Sequence, residues 1–168
     1  MQDLSDTRKL FEACVEKCAD SMYRVAWRLT GNSGDADDLV QESYFQAWQK
    51  IDSLRDPDRM RSWMFAILRN QFLKSVRKKK PVASTEVESV VDHRSDESAA
   101  EENVDVVQQA IKQLDEDQRL PILLVSMEGL SVDEASEILQ IPRGTVLSRM
   151  HRGRQRLKEI LSRENSDA

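Results

Sequence analysis

Residues 145–161, TVLSRMHRGRQRLKEIL, carry six basic side chains, His151 included, against one acidic one. A second basic run lies upstream: Arg55 to Lys80 hold nine Lys/Arg and two Asp, a balance of +7, and Pro142 to Arg163 hold seven Lys/Arg and one Glu, a balance of +6. Between them, Pro81 to Val106 hold eight Asp/Glu and one Arg, a balance of -7, and the whole chain has a formal net charge of -5. Solvated helix faces are usually mixed in sign. Runs this one-sided suit neutralisation of a polyanion, and two of them make two sites for one.

Other reactive groups offer less. GDADDLVQESYFQAWQKI, residues 34–51, gathers Asp35, Asp37, Asp38 and Glu42, and Asp38, Gln41 and Glu42 share a helix flank at i, i+3 and i+4. Carboxylates can hold a cation, but no His or further acid follows at ligand spacing, so a solvated or partner-facing edge is the better reading. Cys14 and Cys18 stand four apart in a helical pattern, awkward for a disulfide, while His93 and His151 are too distant in sequence to complete a zinc pair. Plain helix packing is expected of both thiols. No nucleotide-binding glycine loop and no nucleophile-base constellation occurs, so the expectation is no catalytic residue, no metal and no cofactor.

RSWMFAILRNQFLKSVRKKKP, residues 61–81, interleaves Trp63, Phe65, Ile67, Leu68, Phe72 and Val76 with Arg61, Arg69, Lys74 and the basic run that ends at Lys80. Aromatic and basic side chains together suit single-stranded nucleic acid, where bases stack and phosphates are neutralised. A small helical domain also needs its aromatics for burial, so Trp48 and Trp63 are first taken as core.

The elements that must position these groups are helices. The 168 residues are 39% hydrophobic and 33% charged with only 5% aromatic, strand alternation is hard to find, and good helix formers dominate. An all-α chain is expected. In LSVDEASEILQIPRGTVLSRMHRGR, Ser131 and Glu134 form a capping box, and Val132, Ala135, Ile138 and Leu139 repeat at helical spacing. That helix stops near Gln140; Pro142 suits the first turn of another, whose apolar stripe is Val146, Met150, Leu157, Ile160 and Leu161. This is a helix-turn-helix, with Thr145, Ser148, Arg149, His151 and Arg152 turned away from the stripe, able to enter a major groove. Upstream, the helix bearing Asp38 is expected to begin at Asp35, with Leu39, Val40, Ala47, Trp48 and Ile51 as its apolar set.

PVASTEVESVVDHRSDESAAEENV, residues 81–104, has no aromatic and weak periodicity, which predicts a flexible acidic linker. The expected organisation is two small helical domains, 1–80 and 104–164, joined through 81–103, with 165–168 a disordered tail. The N-terminus lacks a signal-peptide pattern and no stretch is apolar enough for membrane insertion, so a cytoplasmic location is expected.

Taken in order, GDADDLVQESYFQAW, RSWMFAILRN with its basic tail, and AIKQLDEDQRLPILLVSMEGLSVDEASEILQIPRGTVLSRMHRGRQRL resemble regions 2.2, 2.3 to 2.4 and 4 of bacterial sigma factors of the extracytoplasmic function (ECF) class. The resemblance spans about residues 8 to 161. It implies a subunit that binds core RNA polymerase, selects promoter DNA and helps melt it, with catalysis left to the polymerase. Asp38, Gln41 and Glu42 would then face the clamp helices of the large catalytic subunit, with Tyr44 and Trp48 on or near that surface. Asn70 and the loop from Asp56 through Arg59 to Arg61 would form the pocket for an unpaired base of the minus-ten element, and Arg69, Lys74, Arg77 and Lys78 would hold phosphates. Ser148, His151 and Arg152 would read the minus-thirty-five element, with Thr145, Arg149 and Arg154 on the DNA backbone. An anti-sigma factor is the further partner implied.

Two residues depart from the family pattern. Gln140 stands where the class often has Gly, at a cost on the order of 1 kcal/mol if that turn is left-handed. Leu147 stands where a basic side chain is common, so one contact is either lost or replaced by an apolar contact to a thymine methyl. A conventional helix-turn-helix regulator is the alternative reading. A metal-dependent nuclease built on Asp35, Asp37, Asp38 and Glu42 is a third.

Overall fold

A computed structural model describes residues 4–79 and 98–164, and every regular element among these residues is helical. The chain divides into two compact units. The first is built on α1 (Leu4–Thr30), α2 (Ser33–Lys50) and α3 (Met60–Lys79), with two short 3₁₀ turns at Ile51–Ser53 and Pro57–Arg59. The second is built on α4 (Ser98–Lys112), α5 (Glu116–Pro121), a widened turn at Ile122–Met127, α6 (Val132–Leu139) and α7 (Arg143–Glu164). Among the described residues no helix is long and apolar enough to cross a membrane.

In the first unit the three helices pack on one another through Cys14, Met22, Val25 and Ala26 of α1, Ala36 and Ala47 of α2, and Met64, Phe65 and Leu68 of α3, each at most 2% exposed. Gly31 ends α1 in a left-handed turn with φ 79°, where its N–H donates to Trp27 O at 2.7 Å. Asn32 follows in an extended conformation and caps α2: its Oδ1 accepts from the Asp35 N–H at 2.8 Å, and its Nδ2 donates back to Asp35 Oδ2 at 3.1 Å. The helix therefore starts at Ser33, two residues before the expected Asp35, because Asp35 is the third-position partner of the cap and not the cap itself.

Cys14 and Cys18 are free and buried, as plain packing residues. Burial pushes the Cys14 thiol up to about 11, with the neighbouring Cys18 adding to the rise, and burial raises Cys18 as well. A thiol raised by about two units holds about 100-fold less thiolate near pH 8 than a free one. Iodoacetamide should therefore label Cys14 of the native chain at least that much more slowly than in denaturant, with Cys18 slowed in the same direction. The same shift makes the folded chain lose stability as pH rises through the ordinary thiol value toward 11, since the unfolded thiol releases its proton first.

The second unit is organised around buried aliphatic side chains of all four helices: Ala110 and Ile111, Leu120, Leu123 and Leu124, Ala135, and Val146, Met150 and Ile160. Pro121 is buried inside the helical run and brings no N–H; the backbone beyond it widens, with Glu128 N–H donating to Leu123 O at 3.0 Å, five residues back. Gly153 lets α7 approach closely: a Cβ there would lie 2.5 Å from Ile122 Cδ1 and 3.2 Å from Gln118 Cβ. Helix α4 starts at Ser98, so the last six residues of the expected 81–103 linker are helical; residues 80–97 and 165–168 lie outside the described residues.

The capping box predicted from sequence is present, with Glu134 N–H to Ser131 Oγ at 3.1 Å and Ser131 N–H to Glu134 Oε2 at 2.8 Å. Gln140 closes α6 with φ 55°, the left-handed conformation in which a side chain is strained. Replacing it with Gly should stabilise the second unit by about 1 kcal/mol, while Gln140→Val should destabilise it, both read from urea unfolding of the full chain. Across the turn, Ser136 Oγ donates to Ile141 O at 2.6 Å and Arg143 grips both oxygens of Asp133 at 2.7 and 2.8 Å.

Candidate functional site

Helix α2 buries Ala36, Leu39, Val40, Ser43 and Ala47. Ser43 keeps its polarity satisfied by donating to Leu39 O at 2.7 Å. The opposite face carries Asp38, Gln41, Glu42, Phe45 and Trp48, all exposed, with Gln41, Phe45 and Trp48 in one row at i, i+4 and i+7. Phe45 is 55% exposed and Trp48 43%, so Trp48 is not the core residue the apolar pattern suggested. It rests edge-on against Phe11 of α1, ring centroids 5.2 Å apart. Tyr44 is half-buried, and burial raises its phenol further above its ordinary value.

Phe45 escaped the sequence reading. Its signal was there, since it stands opposite the Leu39–Val40–Ala47 stripe on the helical wheel, where an aromatic has no packing reason to be. Asp38, Gln41, Glu42 and Phe45 border a cavity of about 600 Å³, closed on its far side by Ser75 and Lys79 of α3. Lys79 holds Asp35 at 2.9 Å, and that bond, followed by the one from Asn32, keeps the Asp35 carboxyl below its ordinary range. The face is thus an aromatic ridge bordered by carboxylates, a surface suited to a basic, partly apolar partner.

On α3 and the turn before it, Arg55, Asp56, Asp58 and Arg59 are exposed, Asp56 being tied down by accepting from the Asp58 N–H at 3.0 Å. Arg61 is half-buried with its guanidinium 5.7 Å from the Phe65 ring centroid, and Trp63 is half-buried with its indole donating to Ser53 Oγ at 3.2 Å. Asn70 is exposed, its Oδ1 accepting from Arg69 at 2.9 Å, and Lys74, Arg77 and Lys78 continue the exposed basic row. At about 1.5 Å per residue, Asn70 lies roughly 15 Å along the helix from the Asp56–Arg61 turn.

On α7 the expected stripe is found: Val146, Met150 and Ile160 are buried, with Leu157 and Leu161 half-buried. Leu147, Ser148, His151 and Arg152 are exposed. Thr145 is half-buried; Arg149, also half-buried, has its Nε 3.7 Å from Asp117 Oδ2, and Arg154 donates to Ser126 Oγ at 3.0 Å. The outward face can therefore offer a hydroxyl, an imidazole, a guanidinium and an apolar group to a groove, with further arginines held at its flanks.

These are two sigma-70 modules in their usual order, residues 14–82 matching Sigma-70 region 2 and residues 105–157 matching Sigma-70, region 4. The chain belongs to the ECF RNA polymerase sigma factors. It is 34% identical over 165 residues to ECF RNA polymerase sigma factor SigW of Bacillus subtilis, covering 90% of this chain and 88% of that protein. It is 31% identical to SigE of Mycolicibacterium smegmatis over 94% of this chain, but spans only 63% of that relative. Among solved structures it is similar to the sigma factor RpoE in complex with the anti-sigma factor NepR from Bartonella quintana, with a TM-score of 0.73, 28% identity, and coverage of 90% of this chain and 96% of that one. It is also similar to CnrH in complex with the cytosolic domain of CnrY, with a TM-score of 0.69, 27% identity, and coverage of 90% and 87%.

Proposed function

We propose that this chain binds core RNA polymerase, recognises the minus-ten and minus-thirty-five elements of promoters and helps open the DNA, itself catalysing no reaction and acting in the cytoplasm. The observation that carries the reading is α7: a helix anchored by Val146, Met150 and Ile160 whose other side presents Leu147, Ser148, His151 and Arg152 to solvent, within the unit that matches region 4.

Ser148, His151 and Arg152 read base edges in the major groove, while Thr145, Arg149 and Arg154 hold the backbone. In the first unit, Asp38, Gln41, Glu42, Tyr44 and Trp48 receive the polymerase. Asp56, Arg59, Arg61 and Asn70 take an unpaired minus-ten base, and Arg69, Lys74, Arg77 and Lys78 its phosphates. A strand touching both the Asp56 turn and Asn70 would run along α3, so capture of a base from the stack and neutralisation of its flanks occur on one helix. An anti-sigma partner that covers these faces would keep the free chain silent; among the similar structures, RpoE is in complex with the anti-sigma factor NepR and CnrH with the cytosolic domain of CnrY.

Reconstitution with sigma-free bacterial core polymerase, followed by run-off transcription on a genomic promoter library, tests the reading. Discrete start sites that require the chain are expected. A chain that binds discrete duplex sites alone, and neither joins core nor directs starts, would be a conventional helix-turn-helix regulator.

A further inference from the structure

Leu147 is 48% exposed on the outward side of α7, beside Ser148 and one turn before His151. A lone exposed leucine on an ordinary surface calls for no explanation. This one has a neighbour at i-3 that does: Gly144 lies in the first turn of α7, and a Cβ built on it meets nothing within 4 Å. Its φ is not in the left-handed region, which among the glycines is occupied by Gly31 and Gly129. Unlike Gly153, which the packing of α7 requires, Gly144 is demanded by neither backbone nor interior, and glycine in a helix is unfavourable relative to alanine. The missing side chain makes room for something outside the fold.

We infer that Gly144 and Leu147 form an apolar seat for the 5-methyl group of a thymine on the floor of the major groove, making Leu147 a specificity-determining residue of the promoter contact. The inference rests on the proposed reading that α7 enters duplex DNA. Every base pair presents donors or acceptors in that groove, and thymine alone adds a methyl group. An isobutyl side chain has nothing to offer a phosphate, so the methyl is the feature it can recognise. Ser148 Oγ, turned back to Thr145 O at 3.1 Å, leaves the apolar side of this ridge to Leu147. Gly144 lets the helix sit close enough for contact.

The test uses holoenzyme reconstituted from the full chain and core polymerase. An upstream element is selected from randomised duplexes, and each of its thymines is then replaced in turn by deoxyuridine, which removes only the methyl. For the unaltered chain, one position should weaken binding about four-fold, the worth of a single methyl-sized apolar contact. Leu147→Ala should bind the thymine promoter at that weakened level and show no further loss with deoxyuridine there, the non-additivity expected of groups in contact. Gly144→Ala should raise the thermal midpoint yet weaken promoter binding.

Equal loss with deoxyuridine in the unaltered chain and in Leu147→Ala would overturn the inference, as would indifference to every deoxyuridine or unchanged binding by Gly144→Ala. Failure of the unaltered holoenzyme to select any upstream duplex element would remove the groove reading of α7 itself, and is thereby distinguishable from failure of the methyl contact.

Discussion

Reversing charge at both Asp38 and Glu42 to arginine should abolish transcription starts while leaving the chain folded. Both side chains are exposed on α2, away from Leu39, Val40 and Ala47, so the cost in stability should stay within about 0.5 kcal/mol. The cost to a complementary interface is of another order, because like charges brought together there are worth several kcal/mol; a loss of core-polymerase affinity of at least about 100-fold is expected in a titration by fluorescence anisotropy. Phe45→Ala should act through a separate property of the same face. Phe45 is 55% exposed, and as a desolvated anchor in a complex it should contribute about 2 kcal/mol, a roughly 30-fold loss with little dependence on salt. Unchanged core affinity in both variants would remove α2 from the polymerase interface.

What could be foreseen from sequence was set by the range of the interactions. The Ser131–Glu134 box spans three residues and uses groups that do little else, so it was readable and is present with both its hydrogen bonds. The strained turn at Gln140 was visible through the family resemblance, and its φ of 55° agrees. The face holding Asp38, Gln41 and Glu42 follows from helical spacing alone. Where two local signals competed, the reading slipped. Asn32 and Asp35 are both good caps, and only the geometry shows that Asn32 takes the role while Asp35 returns the bond. Trp48 fits an apolar stripe by type but lies on the exposed face with Gln41 and Phe45, where Phe11 covers part of the ring. The widened turn after Pro121 was illegible, since a proline reads as a break when buried neighbours on both sides can instead carry the helix through it.

Arg119 was hidden for a related reason, and replacing it by alanine should produce the largest loss of stability of any single polar change in the second unit. Nothing in QLDEDQRLP marks this arginine as different from those that meet solvent, because its partners are backbone carbonyls. Its guanidinium reaches over the end of α4 and donates to Ile111 O at 3.1 Å, Lys112 O at 2.8 Å and Leu114 O at 2.8 Å. Ile111 O also accepts from the Leu114 N–H at 3.1 Å, so the planar side chain reinforces one carbonyl of the helix end and serves two more just beyond it. Burial depresses the arginine's pKa, opposed by Glu116 and Asp115, but it remains charged at any working pH. Arg119→Ala removes the charge-assisted bonds to these carbonyls and leaves Lys112 O and Leu114 O half-buried without them; allowing for water that reaches them, the cost should be about 3 kcal/mol. Hydrogen exchange of amides that open with the second unit should quicken by about 100-fold in α4 and α5, with α1 to α3 as the reference within the same molecule. Arg119→Lys, with the same charge but no fork, should recover at most one of the three bonds. Because α5 also braces α7 through Gly153, the loosened unit should select promoters poorly even though no residue of the outward face has changed.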